Sequence, residues 1–129
     1  MNSTLLVMAG GAMGAAARFH LGRFAFYMAG PNPAIALPWG TLAANLLGGF
    51  LMGVLAGVLA RSDFAAEPWR LLLGVGLLGG FTTFSAFSLE TFLMIERGQW
   101  GLALGYALLS VAGSVIALFA GIVLIRWIA

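Results

Sequence analysis

The chain has 129 residues, 62% of them hydrophobic and only 8% charged, with six Arg, no Lys, four acids and a formal net charge of +2. A soluble domain is about half apolar and about one-quarter charged, so this composition excludes a soluble enzyme, a disordered tail and, with no Cys, a disulfide-stapled secreted module. Nucleic acid is excluded as a partner too, because the arginines are scattered and form no basic stripe for phosphates. What remains is an all-α integral membrane protein of one domain, residues 1–129, surrounded by the lipid bilayer.

A helix needs about 20 mostly apolar residues to cross a bilayer. Taken in chain order, the first candidate is uncharged from Met1 to Ala17 and then meets Arg18, His20 and Arg23 before Phe24 to Met28. It predicts a span over about 4–28 with Arg18 toward its far end. No basic residue precedes the apolar stretch, which argues against a signal peptide. Gly-Pro-Asn-Pro at 30–33 ends this element. The charge-free run Pro38 to Ala60 predicts a second span, 38–60. The segment from Arg61 to Pro68 predicts a connector. Leu71 to Leu89, between Arg70 and Glu90, predicts a third span extending over 70–95. Glu96-Arg-Gly-Gln turns the chain, and Trp100 to Ile125 predicts the fourth span, 100–126. No connector is long enough to hold a soluble domain, so function is expected inside the membrane.

Arginines in short loops set orientation. With four spans both termini share a side, which carries Arg61, Arg70 and Arg126; the other carries Arg23 and Arg97, joined by Arg18 if it snorkels outward. So weak a bias permits insertion both ways, and two opposed copies would then pair as an inverted repeat. The alternative is one fixed topology with a weak signal. Gly49, Gly53 and Gly57, like Gly10 with Gly14 and Gly101 with Gly105, are spaced for close helix packing in lipid.

The chemistry concentrates in Gly79-Gly80-Phe81-Thr82-Thr83-Phe84-Ser85-Ala86-Phe87-Ser88, in the third span. Adjacent glycines followed by two β-branched threonines weaken a helix. An interruption there would free backbone carbonyls, which in a bilayer must find partners, a buried cation being one; an intact helix packed through its small residues is the other reading. Phe84 and Phe87 share a helix face, with Phe81 extending the row. They are either packing groups or, because a ring edge is electropositive, the lining of a path for a small anion. Asn45 is helix–helix glue or a pore-facing donor. Tyr106, Ser110 and Ser114 form a hydroxyl track along one face of the last span, although serines in such helices often bond their own backbone. Arg18 either attracts anions into a vestibule or snorkels. Glu90, one turn past Phe87, either caps the span or borders a pore mouth. No nucleophile–base pair, metal-ligand cluster or nucleotide loop accompanies these groups, so catalysis is not expected.

Three stretches, Gly10 to Arg18, Trp39 to Gly48 and Gly79 to Ser88, resemble the Fluc/CrcB family of fluoride channels, and the resemblance runs over essentially the whole chain. It implies a third helix broken at the bilayer midplane and an antiparallel, dual-topology homodimer in the inner (plasma) membrane. Two passive pores for fluoride and one central structural sodium ion go with it. Carried over by motif, carbonyls of Gly79 and Thr82 from both chains would hold the sodium. Phe84 and Phe87 would line the pores, with Asn45, Thr83, Ser85, Ser110 and Tyr106 as polar groups and Arg18 at the vestibule; Glu90 at a pore mouth is read from its position and lies outside the matching stretches. Ala86 departs from the family's usual Thr and removes one hydroxyl. The rival reading is a small dual-topology multidrug or cation exporter, which would want a carboxylate inside a helix; here the first span offers only Arg18 and His20. No soluble protein partner is implied.

Overall fold

The computed structural model describes residues 2–30, 37–62 and 66–128. Helix α1, Ser3–Ala29, starts where the Asn2 side chain accepts the Thr4 N–H, satisfying one of the amide groups every helix start leaves open. Helix α2 is Trp39–Leu59. The third stretch begins with α3, Ala66–Trp69, so residues 66–68 are helical rather than part of the expected connector. Pro68 is tolerated in this first turn because its missing N–H would have had no partner there, and Arg70 pairs with Glu67 across the turn at 2.8 Å. Arg70–Leu78 is then wound as π-helix, and the Gly79 N–H reaches back five residues to the Gly74 carbonyl. After α4, Gly79–Phe81, come Thr82 and Thr83 in extended backbone and then α5, Phe84–Glu96. Helix α6, Trp100–Ile128, completes the chain. Ser3–Ala29, Trp39–Leu59, Ala66–Glu96 and Trp100–Ile128 are each long and apolar enough to cross a membrane.

The turn between α5 and α6 shows how locally the sequence acts. Gly98 takes φ of +75°, where a side chain would clash, while its N–H donates to the Ile95 carbonyl and that of Gln99 to Met94, both at 2.9 Å. That is a Schellman stop, and it satisfies two carbonyls that the helix end leaves open. Pro31 to Pro33 and Asp63 to Ala65, named above as connector residues, lie outside the described residues.

The helices pack as two parallel pairs. α1 runs beside the first half of the third stretch: a Cβ on Gly10 or Gly14 would collide with the carbonyl oxygens of Leu72 and Leu77. α2 runs beside α6, with Gly49, Gly53 and Gly57 against Ser114, Leu118 and Ile125 in rising order. Leu42, Met94, Ala103 and Tyr106 form a buried cluster where α2, α5 and α6 meet. Ile116, Phe119 and other large apolar groups of α6 point outward, as lipid-facing side chains should.

Two packing expectations fail within the chain. Among the described residues Gly101 and Gly105 have no neighbour within 4 Å of an added Cβ, so they bring none of the described helices together. Phe81 does not extend the Phe84–Phe87 row, because the extended residues Thr82 and Thr83 break the helical phase; it lies instead near Gly48 of α2. Gly53→Val is expected to lower the melting temperature of the purified protein and cost at least about 1–3 kcal/mol. The obstacle is backbone, so it cannot step aside. Gly105→Ala, in open space, should leave melting unchanged or higher.

Candidate functional site

Thr82 and Thr83 have φ, ψ of −85°, 157° and −150°, 127°. Extended residues between two helices leave N–H and C=O groups without helical partners, and hydrocarbon supplies none. Other groups of the chain take up several of them. Asn45, on α2, grips Thr83 from both edges: its Oδ1 accepts the Thr83 N–H at 3.0 Å, and its Nδ2 donates to the Thr83 carbonyl at 3.3 Å. Arg18 Nε donates to the Gly80 carbonyl at 3.3 Å. Both the N–H and the hydroxyl of Thr82 donate to the Leu78 carbonyl, each at 3.0 Å. Thr83 caps α5, its Oγ1 accepting the Ala86 N–H at 3.3 Å and lying 3.4 Å from Ser85 Oγ.

In an unbroken helix the carbonyls of Gly79 and Thr82 would receive the N–H groups of Thr83 and Ala86. Both donors are diverted, one to Asn45 and one to the Thr83 hydroxyl. The two carbonyls that the family resemblance singles out are therefore ones whose usual donors have been taken by side-chain oxygens. Among the described residues no group of His, Cys, Asp or Glu could hold a metal, so a cation here would depend on neutral oxygens of this kind.

The sequence-derived site residues fall into two places on either side of α5. A groove of about 410 Å³ is lined by Asn45, Thr82, Thr83, Phe84, Phe87, Ser110 and Ser114, with Gly48, Gly49 and Met52. The Phe84 and Phe87 rings lie 5.5 Å apart, tilted by 47°, and Phe87 lies 5.3 Å from Tyr106. Phe84 is 76% exposed, so the groove is open along that side. Ser88 and Thr91 bond backward to the carbonyls of Phe84 and Phe87, the routine use of such hydroxyls in a helix. Ser110 does not: its hydroxyl oxygen is buried in the groove wall, next to Tyr106, and meets no partner in hydrogen-bonding geometry among the described residues.

The second place is a cleft of about 650 Å³ lined by Arg18, Arg23, Phe19, Tyr27, Thr41, Ala86 and Glu90. Arg18 is thus partly buried and directed at the third stretch rather than outward. Glu90 accepts from the Thr41 hydroxyl at 2.7 Å and from the Tyr106 hydroxyl at 2.8 Å. Tyr106, itself buried, belongs to the partition between groove and cleft, bonding Glu90 on one side and stacking on Phe87 on the other. Thr41 was missed by the sequence reading; its one signal is its place in the Trp39 to Gly48 stretch. Gly79 and Ser85 line neither space.

Among the described residues, four helices long and apolar enough to cross a bilayer define a multi-pass membrane protein. Residues 5–122 match the family described as CrcB-like protein, Camphor Resistance (CrcB), and the chain belongs to that family. It is 61% identical over 127 residues to the fluoride-specific ion channel FluC of Phenylobacterium zucineum (strain HLK1), covering 98% of this chain and 97% of that one. It is 56% identical over 129 residues to the protein of the same name from Novosphingobium aromaticivorans, covering both chains fully. The corresponding Caulobacter vibrioides protein is 51% identical over 127 residues, 98% of this chain and 97% of that one.

Tyr106→Phe should cost little, about 0.6 kcal/mol, the average for a side-chain hydrogen bond between membrane helices. Glu90→Leu should cost more, because it leaves two hydroxyls, Thr41 and Tyr106, without an acceptor. Equilibrium unfolding in detergent measures both, and equal costs would show that the hydroxyls find other partners.

Proposed function

We propose that this protein is a fluoride-selective channel that lets the ion leave the cytoplasm passively, working as an antiparallel homodimer with two pores in the inner membrane. The observation that carries the reading is the Ser110 hydroxyl, buried without a hydrogen-bond partner among the described residues, in a groove shared with the Asn45 amide and the Phe84 and Phe87 rings. A buried polar atom without a partner costs about 1–3 kcal/mol, and a permeating ion would supply what it lacks. Relatives sharing half or more of this sequence bear the name fluoride-specific ion channel.

The donor chemistry suits fluoride. The ion is small and strongly hydrated, so a pore must replace its water and still release it. One Asn45 N–H is committed to Thr83, which leaves the second for the groove. With the Ser110 hydroxyl and phenyl edges this makes a set of weak, uncharged donors. A fixed guanidinium 4 Å from the ion would instead hold it by about 4 kcal/mol at an effective dielectric near 20, roughly a thousandfold in residence. In keeping with this, the Arg18 Nε bonds Gly80, and the residue lines the cleft rather than the groove. Arg18 and Arg23 would concentrate anions at the mouth without touching the conduction path.

The groove is open beside Phe84, and a second, inverted copy would close it. The weak arginine bias permits that orientation. The third helix is then read as broken near the midplane, where carbonyls of Gly79 and Thr82 from both copies would hold a structural sodium ion. Support comes from the diversion of their usual donors. When bound, the ion would offset the carbonyl dipoles and tie the two chains together. Glu90 fits a pore mouth better than a cation-exporting carboxylate, since hydroxyls of Thr41 and Tyr106 already engage its oxygens.

Liposomes carrying the purified protein should release fluoride and retain chloride; equal leak of both, or none, would overturn the reading. Phe84→Ile and Asn45→Asp should each cut fluoride flux severely while the protein still elutes as a dimer. Tags at the termini should be accessible from both faces of the membrane, and labelling from one face alone would exclude the antiparallel arrangement.

A further inference from the structure

We infer that Asn45 is a positioning residue for the carbonyl oxygens as well as a donor in the groove: by holding the Thr83 N–H, it keeps the Gly79 carbonyl available to a cation. This rests on the reading that Gly79 and Thr82 hold sodium.

The Thr83 N–H has two acceptors within its conformational reach. One is the Gly79 carbonyl, which it would meet if the helix ran on. The other is Asn45 Oδ1, which it meets at 3.0 Å. The amide's orientation is set by Thr83 itself, which offers a donor on one side and an acceptor on the other, so Oδ1 must face the N–H and Nδ2 the carbonyl. The pairing resembles one rung of an antiparallel sheet, with a side chain standing in for the second strand. Without that amide, the Thr83 N–H would be orphaned in a membrane span, and the Gly79 carbonyl is the acceptor left to it. Bonding there continues the helix and occupies the oxygen.

Thr82 stands apart. Its usual donor, the Ala86 N–H, is held by the Thr83 hydroxyl, a local bond within the cap of α5. Asn45 therefore governs the Gly79 half of the carbonyl set. Because the same residue lines the groove, one side chain ties the anion path to the cation site.

Thermal unfolding of the purified full-length protein in detergent, in sodium and in N-methylglucamine at equal ionic strength, tests this. Sodium that binds only the folded state raises the midpoint, and the wild type should rise by several degrees. Asn45→Ala should lose most of that rise. Asn45→Asp, which keeps the Oδ acceptor, should retain it even though its fluoride flux falls. Ser110→Ala, altered only in the groove, should respond to sodium as the wild type does. A full sodium response in Asn45→Ala would overturn the inference while leaving the sodium reading intact, and so would a lost response in Asn45→Asp, which serves if the alanine variant does not fold. A flat wild type would refute the sodium reading itself and this inference with it.

Discussion

Thr82 and Thr83, extended between α4 and α5, must find partners for their backbone outside the helical ladder, and the Asn45 amide is the partner on which this structure depends. It reaches from α2 to both edges of Thr83 and so fixes the second of the two residues that lie between α4 and α5. From that point follow the cap on α5 and the direction in which Phe84 and Phe87 leave the helix start. Arg18 and the Thr82 side chain look after neighbouring carbonyls, but each serves one group.

The rest of the chain keeps that grip in place. Glycines let α2 lie against α6 and α1 against the third stretch at distances no side chain would permit. Close approach is what makes packing effective in lipid, where burying apolar surface against apolar surface gains little. Where α2 meets α6, the glycine face ends beside Asn45 and the Ser110 wall. The groove is thus a by-product of small residues on one helix facing hydroxyls on another.

Much of this was legible in the sequence because the membrane imposes it. Charge-free runs of the required length mark three of the spans, the first is read as a span across Arg18 and Arg23, and Gly98 marks the stop before α6. The weak helical stretch from Gly79 to Thr83 was visible as composition. Its remedy was not, since Asn45 lies 38 residues from Thr83 and could as well have been simple glue between helices. The phase slip at Thr82 and Thr83 separated Phe81 from the other two phenyl rings, which a continuous helical count could not register. Nor could spacing reveal that Glu90 and Arg18 share one cavity while Asn45 and Ser110 share another. That division is made by the body of α5 and the Tyr106 ring.

The pairing of α1 with the third stretch, and of α2 with α6, interleaves the chain: the first and second spans each lie against a parallel partner that emerges two spans later. Neither pair can close during synthesis until its later member has entered the bilayer. α2 must therefore wait, with its glycine face unmatched and Asn45 without Thr83, while the third stretch inserts. Completion of the fold is deferred to the arrival of the C-terminal helix, and early spans spend that interval exposed to whatever else the insertion machinery offers them.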